Sequence, residues 1–351
     1  MLRTDWTLSS MPYQLQGEAD QWSRGTIRWH NPPAIAASDV WEDEIAAGQG
    51  VLHPMRLIFR PHGYRYTGPA ESPCEDSVAT KSWGGIMRAV KTKLPPSPGD
   101  IYFQLRAKPT GAIMHVEFGR IDENIDGDGV ADNEDQEPWN HVIDIDDGLG
   151  VNEDTGLDTL LDQDETDRCG NPHSWELNPD PAGDNWWFEG YGKGVGSNNS
   201  RPPVSLALWR DLAYRESVLD ESHWLHYEWM NGTEGNVEDP AVFGQPDRED
   251  LNGDGLDIAD AYLSFTISLQ ADSTNPHFIP GSERNGWCTY LVSVLRDTLC
   301  DTVRSHPALE VDWRYFTHVR VWFEQPEYAT DSLVDMDSVW IADWRLVAET
   351  F

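Results

Sequence analysis

Residues 262–270 read Tyr262-Leu263-Ser264-Phe265-Thr266-Ile267-Ser268-Leu269-Gln270, and this stretch decides the fold. Successive side chains of an extended chain point to opposite faces. Leu263, Phe265, Ile267 and Leu269 therefore share one face, and Tyr262, Ser264, Thr266, Ser268 and Gln270 the other. The same period of two recurs in 102–108, where Phe103, Leu105 and Ala107 alternate with Tyr102, Gln104, Arg106 and Lys108. It recurs again in 318–324, where Val319, Val321 and Phe323 alternate with His318, Arg320, Trp322 and Glu324. Further strand candidates lie at 25–30, 54–60, 83–91, 112–118, 288–295 and 338–348. One apolar face per strand is the pattern of antiparallel sheets packed on one side. The chain reads as all-β, a jelly-roll-like antiparallel β-sandwich of the architecture that carbohydrate-binding modules share. The one helix candidate is 204–217, after Pro202-Pro203.

Between the strands ending near Phe118 and starting at Tyr262, sustained alternation stops. Segment 121–260 is rich in Asp, Asn, Gly, Pro and Trp and reads as a large insertion into a sandwich spanning 51–351. Residues 1–50 read as a separate lead-in strand and connector, broken at Asn31-Pro32-Pro33. A loop that long needs something to order it. Residues 121–170 carry eighteen acids against the single base Arg168, and supply 17 of the 36 net negative charges. The acids recur at short intervals among glycines, as a hard cation needing six to eight converging oxygens requires. The expected cofactor is Ca2+.

Three groups of ligands are expected. In the first, Asn124, Asp126, Asp128, Asp132 and Asp135 follow the spacing of thrombospondin type 3 calcium repeats. An offset reading, Asp122-x-Asn124-x-Asp126-Gly127, resembles the opening of an EF-hand or dockerin loop, without the Glu at the twelfth place or the flanking helices. The second loop is Asp250, Asn252, Asp254, Asp257 and Asp260, with Gly255 at the turn. The third group, Asp144, Asp146, Asn152, Asp154, Asp158, Asp162 and Asp164, leaves its ligand set open between one cation and a solvated acidic surface.

The polar faces of 102–108 and 318–324 raise a second possibility. If those strands are neighbours, Tyr102, Gln104, Arg106, His318, Arg320 and Trp322 form a platform on which a sugar stacks and hydrogen-bonds; otherwise they belong to a solvated or covered sheet face. His115 and Glu117 share one strand face. No nucleophile elbow, zinc-protease helix or phosphate-binding loop motif is present, and a non-catalytic protein is expected. A net charge of −36 disfavours nucleic acid and anionic lipid as partners. No apolar run is long enough for a membrane helix, and no direct membrane insertion is expected. Calcium loops of modest affinity fill outside the cell, so the chain reads as part of an exported, cell-surface protein. Cys74, Cys169, Cys288 and Cys300 permit disulfides, with Cys288 and Cys300 closing a short loop in one arrangement.

The ordered pieces Lys81-Ser-Trp-Gly-Gly-Ile-Met-Arg88, Gly111-Ala-Ile-Met-His-Val-Glu-Phe-Gly-Arg-Ile-Asp-Glu-Asn-Ile-Asp126, Asn152-Glu-Asp-Thr-Gly-Leu-Asp158, Asn231-Gly-Thr-Glu-Gly-Asn236, Glu249-Asp-Leu-Asn-Gly-Asp254 and Val339-Trp-Ile-Ala-Asp-Trp-Arg-Leu346 span residues 80–350. This order resembles the extracellular segments of the SprA family, very large cell-surface proteins of gliding motility and of the type IX secretion translocon. The resemblance implies one module or fragment of an outer-membrane-associated machine. Its partners would be other modules or subunits of a surface assembly. A carbohydrate-binding protein and a subunit of a calcium-dependent filament or layer are the alternatives.

Overall fold

Each of the nine alternating segments forms a strand, with ends shifted by a few residues at most. The computed structural model describes residues 5–19, 24–42, 50–60, 82–93, 101–136, 139–144, 153–161, 164, 233, 246–294, 299–312, 315–325 and 338–348. Among them run β1 (Thr7–Leu8), β2 (Thr26–His30), β3 (Ile35–Ala36), β4 (Val51–Leu52), β5 (Met55–Arg60), β6 (Ser82–Lys93), β7 (Ile101–Ala107), β8 (Ile113–Arg120), β9 (Ala261–Ser268), β10 (Cys288–Ser293), β11 (Cys300–Arg304), β12 (Tyr315–Gln325) and β13 (Ser338–Ala348).

Two antiparallel sheets face each other, one ordered β1-β6-β12-β8-β9-β11 and the other β10-β7-β13-β5-β2; β3 and β4 form a small separate ribbon. The protein is an all-β sandwich. Register follows the apolar alternation: Val321 lies opposite Val116, which lies opposite Phe265, so one face of three adjacent strands turns inward together. Phe118, Phe265, Val321 and Phe323 meet Phe103, Leu105, Tyr290 and Ile341 in one core. The Phe103 and Phe118 rings pack edge-on across it, 5.2 Å apart.

Two expectations need correction here. The first fifty residues are not a separate segment. β1 pairs with β6 and β2 with β5, and Trp6, Leu8, Ile27 and Trp29 are buried in the main core. Four large apolar side chains find burial there that no connector offers. Cys288 is a free thiol on β10 and Cys300 sits on β11 in the opposite sheet, so these two form no bridge. Cys74, Cys169, the 204–217 segment and the tryptophans at 186, 187, 224 and 229 lie outside the described residues. No helix among the described residues is long and apolar enough to cross a membrane.

Candidate metal centre

β8 and β9 pair along their whole length, from Ile113 opposite Ser268 to Arg120 opposite Ala261. The insertion leaves from the end of β8 and returns into the start of β9, so its two legs begin side by side. At that exit Gly119 lets the strands touch: a Cβ there would lie 2.5 Å from the Ala261 carbonyl oxygen and 2.6 Å from the Tyr262 Cα. Beyond the strands the legs stay zipped through Asn133 opposite Arg248.

Three buried glutamates do the zipping and a fourth fastens the first leg to itself, all in one way. Glu123 donates its N–H to the Asp257 carbonyl (2.7 Å), and its carboxylate accepts the Asp257 N–H (3.0 Å) and the Leu251 N–H (3.0 Å). Glu134 pairs likewise with Asp247 (3.1 and 2.7 Å) and takes the Gly156 N–H (3.0 Å). Glu249 pairs with Asp132 (3.0 and 3.2 Å) and takes the Ile125 N–H. Glu153 pairs with Asp144 (3.3 and 2.9 Å) and takes the Gln136 N–H (3.1 Å). Each clamp joins a Glu to an Asp of another loop segment and satisfies backbone donors that no secondary structure reaches. All four glutamates are almost fully buried. Sequence reasoning missed them, since it sought ligands at alternate places; the available signal was that each directly precedes Asp or Asn.

Within this frame one set of acids converges. The carboxylates of Asp126, Asp128 and Asp132 lie within 4.8 Å of one another. Tight side-chain turns set them: the Asn124 Oδ1 accepts the Gly127 N–H (2.6 Å), Asp126 that of Asp128 (2.9 Å), and Asp128 that of Val130 (2.6 Å). Gly127 and Gly129, at φ 86° and 83°, supply left-handed backbone that other residues resist. Asp158 arrives from the turn Gly156–Asp158. Burial, with Asp126 and Asp132 nearby, pushes its carboxyl up to about 7. Burial and the charges of Asp126 and Asp128 push Asp132 up to about 6. Burial, and to a lesser degree Asp132 and Asp126, pushes Glu249 up to about 8. Anionic oxygens crowded to this degree repel one another, and a hard divalent cation removes the repulsion. The donor set is all oxygen, which fits calcium and not a soft metal.

The other expected ligands are not gathered into a cage. Asp250 accepts N–H bonds from Gly253 (2.7 Å), Asp254 (3.2 Å) and Gly255 (3.1 Å). Asn252 accepts one from Asp254 (2.8 Å). Asp257 is held by Arg120 (2.7 Å), and Asp260 lies 3.9 Å from Arg320 and accepts the Asp122 N–H (3.1 Å). Asp122 in turn caps the Asn124 N–H (2.9 Å). Asp135 is fully buried and takes the N–H groups of Asn140 (3.0 Å) and His141 (2.9 Å), a structural use. Asp144 takes the Asn140 amide (2.8 Å). Asp154 is buried and raises the carboxyls of Glu134 and Asp247, after their burial the main influence on Asp247. Asp164 stands apart from the convergent set. Asp146, Asn152 and Asp162 lie outside the described residues.

The aromatic platform does not form. β7 and β12 belong to opposite sheets, so Tyr102, Gln104 and Arg106 are remote from His318, Arg320 and Trp322. Tyr102 and Gln104 are half-buried on the outer face of their sheet. Arg106 is buried, donating to the Thr289 hydroxyl (2.8 Å) and to the carbonyls of Val40 and Ser282. His318 and Arg320 are fully buried and Trp322 nearly so, beneath residues 10–15 and the first acidic loop. Arg320 donates to Glu117 (2.6 Å) and to the Ser10 hydroxyl (3.0 Å). Trp322 also donates to Glu117 (2.9 Å), as does Gln14 (2.8 Å), and His318 bonds Glu123 (2.8 Å). Both oxygens of Glu117 are thus engaged, and His115 Nδ1 lies 3.3 Å from the Thr266 hydroxyl. What looked like a solvent face is a paired polar layer under a roof made by the chain's own N-terminal segment.

Neither the protein-family models nor the curated proteins contain a match to this chain.

Proposed function

We propose that the chain is a non-catalytic, calcium-stabilised module of a bacterial cell-surface protein, a jelly-roll-like extracellular unit of the kind the SprA resemblance implies. The observation that carries this reading is the convergence of Asp126, Asp128 and Asp132, with Asp158 beside them, between the Glu123 and Glu134 clamps of a two-legged insertion. Those four carboxylates would hold the ion. Its chemistry there is charge neutralisation and loop fixation. Its partners are other modules or subunits of a surface assembly. The burial of Arg106, Arg320 and Trp322 leaves the glycan-binding alternative without its platform.

The test is a thermal melt with calcium, with magnesium and with chelator. A cation that binds only the folded chain at about a hundred times its dissociation constant adds about 2.7 kcal/mol. For a chain of 351 residues that raises Tm by roughly 4 °C. Asp126→Asn combined with Asp128→Asn should abolish the calcium shift. Equal melting in calcium and chelator refutes the reading. Chelator-reversible assembly at high concentration would place the module in a filament or layer.

A further inference from the structure

The geometry points to Asn252-Gly253 as a self-modifying site, at which the Asn252 side-chain amide is lost to attack by the Gly253 backbone nitrogen, with Asp250 as the base. The reaction needs a nucleophilic nitrogen, a polarised carbonyl and a departing amine, and the second acidic loop supplies all three. The Gly253 N–H, which must lose its proton, donates to the Asp250 Oδ1 at 2.7 Å. The Asn252 Oδ1, on which negative charge develops, accepts the Asp254 N–H at 2.8 Å. The Asn252 Nδ2, the leaving nitrogen, has no hydrogen-bond partner among the described residues. Gly253 is exposed at φ 77°, with no atom within 4 Å of where a Cβ would stand, so nothing blocks the ring that forms.

The step balances as follows. Asp250 takes the Gly253 proton, and the Gly253 nitrogen bonds to the Asn252 Cγ. The oxyanion is held by the Asp254 N–H until the C–Nδ2 bond breaks, and ammonia leaves with the proton from Asp250. Water then opens the succinimide at either carbonyl, leaving aspartate or isoaspartate at position 252. Aspartate there gives the loop carboxylates at all three alternate places from 250 to 254; isoaspartate lengthens its backbone. The chemistry needs no metal and is independent of the calcium reading.

A second Asn-Gly pair is the internal control. Asn285-Gly286 is exposed and left-handed at both residues, φ 48° and 80°. Its side-chain amide is held by the Asp39 carbonyl at 3.1 Å, and among the described residues no carboxylate accepts the Gly286 N–H.

Purified protein is incubated at neutral pH for days, folded and in guanidinium, and conversion at both sites is followed by peptide mass spectrometry with isoaspartate detection. In the folded chain Asn252 should convert several-fold faster than Asn285. Asp250→Asn keeps an acceptor for the Gly253 N–H but cannot take its proton; it should slow Asn252 about tenfold, a modest share of what a positioned base contributes. In guanidinium the variant and the parent should react alike. If Asp250→Asn does not fold, the parent alone decides, since folding should accelerate Asn252 and retard Asn285. Equal folded rates at the two sites, or a folded variant as fast as the parent, overturns the proposal.

Discussion

Glu249→Ala is the sharpest perturbation of the candidate centre, because Glu249 bonds the backbone at both ends of the convergent turn while its own carboxylate lies outside the convergent set. Its oxygens take the N–H groups of Ile125, just before the Asp126–Asp132 turn, and of Asp132, which ends it. Alanine removes both acceptors. A buried donor left unpaired costs about 1–3 kcal/mol. Ile125 is 4% exposed and bears that in full, whereas Asp132 is half-buried and water can reach it. The variant also removes a carboxyl that burial, and to a lesser degree Asp132 and Asp126, pushes up to about 8. The net loss should be about 2–3 kcal/mol in calcium. Loosening a partner that orients ligands lowers metal affinity roughly 10–100-fold. Calorimetric calcium titration and guanidinium denaturation measure the two effects on one preparation. Glu249→Gln, which keeps one carbonyl acceptor, should fall between parent and alanine. If calcium affinity stays at the parent value while stability falls, Glu249 is a staple and does not position the centre. If neither changes, the clamp is not an energetic feature at all.

Arg320→Ala should destabilise by about 3–5 kcal/mol, as removal of one member of a fully buried ion pair does, and a Glu117→Gln background should recover part of that loss in a denaturant melt. Gly119→Ala should lower stability measurably by chemical denaturation, because its Cβ meets backbone atoms of β9 that cannot swing aside. Without metal, the raised carboxyls of Asp132 (about 6), Asp158 (about 7), Asp247 and Glu249 (about 8) make the folded state bind protons that the unfolded chain releases near 4. Stability of the chelated protein should therefore fall as pH rises from about 5 to 8, and saturating calcium should flatten the profile; a chelated protein that gains stability over that range contradicts the assignment.

Strand positions were legible because alternation is a local signal, and Leu263, Phe265 and Ile267 needed no partner to be read. Sheet membership was not, because pairing is set between distant segments. That is why the alternation could not say whether Arg106 and Arg320 are neighbours; they stand in opposite sheets. The burial of His318, Arg320 and Trp322 was hidden for a related reason. Polar side chains on alternate places read as solvated unless one knows that Glu117, Ser10 and Gln14 arrive to satisfy them. β1 and β11 were too short or too polar to register. In the acidic loops, the spacing named Asp126, Asp128 and Asp132, whose carboxylates the fold brings together. It also named Asp257 and Asp260, which lie beside Arg120 and Arg320. The glutamates escaped notice because their partners are backbone donors, which no side-chain pattern announces.

The clamp of Glu134 on Asp247 ties together positions far apart along the chain. Once both ends are fastened, closure entropy grows only with the logarithm of the length between them, so doubling the intervening polypeptide costs about 0.6 kcal/mol. The sandwich is thus largely indifferent to what hangs from this point. Among the described residues it is the natural port for grafting foreign sequence.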